Sequence, residues 1–100
     1  MLKHIVFWKL KEEAAGASQA QNAAKLKGLL EALPALIPEV RELEVGLNLL
    51  AGDQAPQVAL YTVFDDDAAL QRYQVHPEHP KVVAFVREIA AERRAVDYLA

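Results

Sequence analysis

The chain has 100 residues, a net charge of −3 and no cysteine, and about half of it is apolar. This composition fits one globular domain spanning residues 1–100. It excludes disulfides, thiolate catalysis and cysteine-based zinc sites. Nucleic acid is not an expected partner, because phosphate binding needs clustered basic residues and only Arg93-Arg94 form a tight pair. A membrane is not one either: no run approaches the roughly 20 apolar residues of a spanning helix. The opening Leu2 to Leu10, interrupted by Lys3 and Lys9, is too short for a signal peptide. The expectation is a soluble cytoplasmic protein.

Leu2 to Leu10 predicts a strand, since Ile5, Val6, Phe7 and Trp8 favour sheets. Alternation places His4, Val6, Trp8 and Leu10 on one face, with Lys3, Ile5, Phe7 and Lys9 on the other. Both faces carry large apolar groups, so both call for a cover. Lys11 to Ala17 reads as a polar loop. Ser18 and Gln21 have the spacing of a capping box and start a helix. Leu26, Leu29, Leu30 and Leu33 give that helix an apolar face, and Pro34 and Pro38 end it.

Val40 to Asn48 predicts a second strand, with Leu43, Val45 and Leu47 opposite Glu42, Glu44 and Gly46. A loop follows to Gln57, then a third strand from Val58 to Phe64, apolar on both faces apart from Thr62. Asp65-Asp66-Asp67 starts a short helix that reaches Tyr73 or Gln74. Lys81 to Ala91 is helical, with Val82, Phe85, Val86 and Ile89 on one side, and Arg94 to Leu99 closes as a fourth strand. The order β-α-β-β-α-β is the ferredoxin-like split βαβ arrangement, an α+β fold with a four-stranded antiparallel sheet and helices on one face.

Helices cover only one face of such a sheet. The apolar second face therefore predicts a homodimer, two sheets closing face to face into an α/β barrel. If side chains do not fill that barrel, it holds a small apolar cavity.

Between the last two helices stands Tyr73-Gln74-Val75-His76-Pro77-Glu78-His79-Pro80, which holds two of the three histidines. The prolines fix the backbone into a corner that displays imidazoles. His79 is a candidate general base, and Tyr73 a candidate donor to a developing enolate. The alternative is that His79 caps the helix beginning at Pro80. His76 reads first as a tie within the corner and second as a ligand contact. His4 and Trp8 share a strand face, as packing residues or as cavity lining. Asp97 is placed to pair with Arg93, Arg94 or a histidine across the sheet. With no cysteine and no third histidine nearby in sequence, no metal site and no cofactor is expected.

Several of these segments together resemble the Dabb family, the stress-responsive dimeric α/β-barrel domains. The resemblance runs from Lys3-His4-Ile5-Val6-Phe7-Trp8-Lys9 through Ile37-Pro38-Glu39-Val40 and Gly46-x-Asn48 to Tyr73-x-x-His76-Pro77-x-His79 and Val96-Asp97-Tyr98. It implies the same fold and a homodimer. In the few family members that are polyketide cyclases, residues matching Tyr73 and His79 are implicated in catalysis. Glu39 replaces a common glycine of the family, and the third strand lacks a histidine that those cyclases place in the cavity.

Three functions follow as expectations. The first is a stress-type protein that binds a small apolar or aromatic ligand in its barrel cavity, lined by His4, Trp8, Tyr73, His76 and His79. The second is a cyclase- or isomerase-like enzyme with His79 as base and Tyr73 orienting a carbonyl. The third is a purely structural dimer.

Overall fold

A computed structural model describes all residues from Met1 to Ala100. Strand β1 (Leu2–Leu10) leads into a two-residue hairpin of β2 (Glu13–Ala14) and β3 (Ala17–Ser18). Helices α1 (Gln19–Glu31) and α2 (Leu33–Leu36) follow, then β4 (Glu42–Leu47) and β5 (Val58–Phe64). Helices α3 (Asp67–Val75) and α4 (His79–Ile89) precede the last strand, β6 (Ala90–Leu99). The main sheet runs β4-β5-β1-β6 with every pair antiparallel. This is the ferredoxin-like α+β fold expected from the element order. No helix is long and apolar enough to cross a membrane.

Strand β1 lies at the centre, and its side chains alternate as the sequence requires. Leu2, His4, Val6, Trp8 and Leu10 are buried beneath the helices, while Phe7 on the other face is exposed. Val58, Leu60, Thr62 and Phe64 of β5 are likewise buried. The Leu26, Leu30 and Leu33 face of the α1–α2 segment closes over these rows, joined by Leu70, Val82 and Ile89. Leu29, on the same predicted stripe, is only partly buried.

Four expectations need correction. Residues 11–17 are not simply a loop: Ala15 and Gly16 both adopt positive φ, 52° and 72°, and turn the β2–β3 hairpin. Paired positive φ values suit a tight two-residue hairpin, a geometry that the Ala-Gly pair signals only weakly. Pro34 separates α1 from α2 but occupies the first turn of α2, where a missing N–H costs nothing. Helix α4 starts at His79, two residues before the expected Lys81. His79 therefore does not cap it, and its N-terminus carries no side-chain cap. Strand β6 leaves α4 directly at Ala90 rather than at Arg94, and Lys11 N–H donates to the Ile89 carbonyl (2.8 Å) at that junction.

The capping box is present in full. Ser18 Oγ accepts from the Gln21 N–H (3.2 Å), and Gln21 Oε1 accepts from the Ser18 N–H (2.9 Å). Ser18→Ala should lower the unfolding free energy by about 1 kcal/mol. Urea denaturation measures this, and an unchanged midpoint would show that the hairpin, not the cap, fixes the start of α1.

Candidate functional site

The cavity is built between the sheet and its helices. His4, Val6 and Trp8 of β1 and Leu60 of β5 form its floor. Leu30 of α1, Tyr73 of α3, and His79, Val82, Val83 and Val86 of α4 close over them. Its volume is about 290 Å³. The floor residues lie on the helix-covered face of the sheet, not on its open face. The site therefore lies within one protomer rather than inside a barrel formed by two sheets. A larger, shallower hollow of about 520 Å³ lies beside the 48–57 loop, and no histidine or tyrosine lines it.

A row of rings runs beside this cavity from His4 through Phe64 and Tyr73 to His79, edge to face at its two ends and tilted at the Phe64–Tyr73 contact. Centroid distances are 6.4 Å from His4 to Phe64, 5.0 Å from Phe64 to Tyr73 and 4.8 Å from Tyr73 to His79. Helix α3 places Tyr73 on the turn that also buries Ala69 and Leu70. Asp66 fixes that helix, its carboxylate accepting from the Ala69 N–H at 2.8 Å. The chain then turns so that His79 enters α4 beside the tyrosine.

Burial sets the chemistry of the Tyr73–His79 pair. Desolvation alone pushes the Tyr73 phenol up to about 12, so its hydroxyl stays protonated and able to donate. Burial also pushes the His79 imidazole below its ordinary value. The charge of nearby His4 adds to this, the Gln74 backbone opposes it, and Arg93 adds a smaller push downward. A neutral imidazole beside a protonated phenol is an acid–base pair with both members in their useful forms at neutral pH.

His4 is buried, and its Nδ1 engages Oδ1 of Asp97 on the neighbouring strand. The register places His4 directly opposite Asp97, which decides among the partners open to that aspartate. A carboxylate on Nδ1 orients the ring and leaves Nε2 as its other nitrogen. Thr62 braces the same residue, its hydroxyl donating to the His4 carbonyl at 2.8 Å. Trp8 lies in the cavity wall with its Nε1–H buried and without an acceptor.

Four of the five residues singled out from the sequence thus line one cavity: His4, Trp8, Tyr73 and His79. His76 does not. Its Nδ1 accepts from the Glu78 N–H (3.1 Å), and its carbonyl accepts from the His79 N–H (2.9 Å), so it ties the corner that aims His79.

Arg87 and Arg93 also line the cavity, and the sequence reading gave neither a place there. Signals for both existed. His79, Val82, Val83, Val86 and Arg87 fall at three- and four-residue steps on α4. Alternation from Val96 and Tyr98 puts Arg93 and Asp97 together on the opposite face of β6.

The model of the Stress responsive A/B Barrel Domain, Dabb, matches residues 2–100. The chain belongs to the Dabb family. An uncharacterized protein of Streptomyces coelicolor is 32% identical over 90 residues, 90% of this chain and 91% of that one. A dimeric protein of ferredoxin-like fold from Bacteroides fragilis is 34% identical, covering 99% of this chain and 95% of its own, with a TM-score of 0.86. A Dabb family protein of Mesorhizobium loti is 27% identical over 99% of this chain and 95% of its own, with a TM-score of 0.67. The family model spans residues 2–100, so the cavity lies within the family domain.

The depressed His79 value has a consequence for stability. The unfolded chain takes up this proton more readily than the folded one. Stability should therefore fall as pH drops below about 6.5 and be unaffected by this group above it. His79→Gln should flatten that part of the curve. Urea midpoints between pH 5 and 8 test this, and equal slopes in the two proteins would refute it.

Proposed function

We propose that this Dabb protein is a homodimer that binds a small apolar or aromatic ligand in the cavity of each protomer. The carrying observation is the cavity itself: an apolar slot with Tyr73, His79 and His4 converging on one side. A dry cavity of about 150 Å³ takes one benzene, so about 290 Å³ suits a single ring with a short substituent. The Trp8 N–H, buried in the wall without an acceptor, adds an unmet donor to the same region.

The homodimer rests on the open sheet face. Ile5, Phe7, Val96 and Tyr98 sit together there by register, and Phe7, Val96 and Tyr98 are exposed. A contiguous apolar surface of this kind favours an interface, and the Bacteroides fragilis relative is dimeric. Val96→Asp should shift the protein to monomer in sedimentation velocity. A dimer that persists unchanged would place the interface elsewhere.

The Tyr73–His79 pair favours a second reading, a cyclase- or isomerase-like enzyme. Neutral His79 would take a proton from the carbon beside a ligand carbonyl, and the Tyr73 hydroxyl would donate to the enolate oxygen that forms. The imidazolium then returns a proton to carbon. In D2O such chemistry exchanges the α-protons of a simple benzyl ketone such as phenylacetone, read by proton NMR. The exchange should fall roughly 100-fold or more in His79→Ala and also fall in Tyr73→Phe, with both variants still folded. If exchange never exceeds the buffer rate, and His79→Ala only lowers the melting temperature, the residues serve the fold and the structural-dimer reading stands.

A further inference from the structure

The ligand class can be narrowed from the charges around the cavity. No carboxylate lines it, and its only permanently charged wall residues are Arg87 of α4 and Arg93 of β6. Both are exposed while most of the remaining wall is buried or half-buried, so they mark the mouth between α4 and the last strand. Neither guanidinium makes an ion pair, although Arg41, Arg72 and Arg94 all do. On β6, the carboxylate that shares the face of Arg93, Asp97, is engaged by His4, and Glu92 pairs with Arg94. Trp8 stands directly opposite Arg93 across β1 and β6. Two unpaired cations thus flank the opening of an apolar slot in a chain whose net charge is −3.

From this arrangement we infer that the ligand is an apolar or aromatic molecule bearing an anionic group, of the aryl carboxylate class. Its ring fills the slot toward Tyr73 and His79, and its carboxylate lies at the mouth between Arg87 and Arg93. An arginine fork matches a planar carboxylate in geometry as well as charge. An apolar wall behind the pair lowers the local dielectric and strengthens that contact relative to one on open surface. Nothing in the wall would repel the anion. This inference rests on the cavity-binding reading above.

The only tryptophan of the chain lines the cavity, so its fluorescence reports occupancy directly. The probes are 4-propylbenzoate and its neutral isostere 4-propylbenzamide, titrated into the dimer at low ionic strength. The benzoate should bind at least tenfold more tightly than the amide, and added salt should weaken only the benzoate. Arg93→Gln and Arg87→Gln should each cut the preference severalfold, and the double variant should bring it close to one by weakening the benzoate far more than the amide. Because both side chains are exposed, these variants should fold normally, and a melting curve checks it. Equal affinity for the two probes would overturn the anionic-ligand inference and leave the cavity reading intact. A preference that survives the double substitution would overturn the assignment to these arginines. Failure of both probes to perturb Trp8 would overturn both readings together.

Discussion

The pairing register of β1 is the constraint on which the rest of this structure depends. Strand side chains alternate with a period of two, so a slip by one residue would exchange the two faces completely. In the observed register, His4 opposes Thr62 on one side and Asp97 on the other. Thr62 donates to the His4 backbone carbonyl, and Asp97 holds the imidazole. These two contacts link three strands through one histidine. The same register puts Trp8, in the cavity floor, opposite Arg93 at the cavity mouth.

The helices complete that site because they cannot fill it. Leu30, Val82 and Val86 reach the sheet as branched aliphatic side chains, and between them they leave about 290 Å³. Protein interiors are ordinarily packed to the density of organic crystals. A space of this size, ringed by Tyr73 and two histidines, therefore stands apart from ordinary core packing. Its desolvation also sets the protonation of the side chains around it, holding the Tyr73 phenol protonated and disfavouring charge on His79. Packing and protonation thus have one cause here, the withdrawal of water from α3 and α4 as they close on the sheet.

The two faces of the sheet have separate tasks. The inner face builds the cavity. The outer face carries Ile5, Tyr61 and Val96 beside charged residues, with Lys3 donating to the Tyr61 hydroxyl at 2.6 Å. No helix lies on that outer face, where Phe7, Val96 and Tyr98 stay exposed although Val63 is buried. A domain this small buries only roughly two-thirds of its unfolded surface alone, less than a larger one, and pairing by the outer face would enlarge the core without disturbing the cavity.

Much of this was legible in the sequence because the governing physics is local or periodic. The alternation along Leu2–Leu10, the strand bounds Val58–Phe64, the capping box at Ser18 and Gln21, and the helix start at Asp65-Asp66-Asp67 depend on residues within one or two turns of each other, and all stand as read. The motif around Tyr73 and His79 marked a corner whose side chains reach the cavity. The two-residue hairpin at Ala15-Gly16 was missed because alanine at positive φ leaves almost no composition signal. The early start of α4 was missed because a proline before His79 suggested a break, whereas Pro80 fits the first turn of a helix. The place of the cavity was decided only by tertiary structure. Apolar strands on both faces say that two covers are needed, but they do not say under which cover a void remains. That depends on how closely particular side chains from α1, α3 and α4 meet the sheet. The sequence by itself therefore determined the fold and which residue types stand near the corner. Three-dimensional packing decided that His4, Trp8, Tyr73 and His79 share one cavity, that His76 stays outside it, and that Arg87 and Arg93 stand at its mouth.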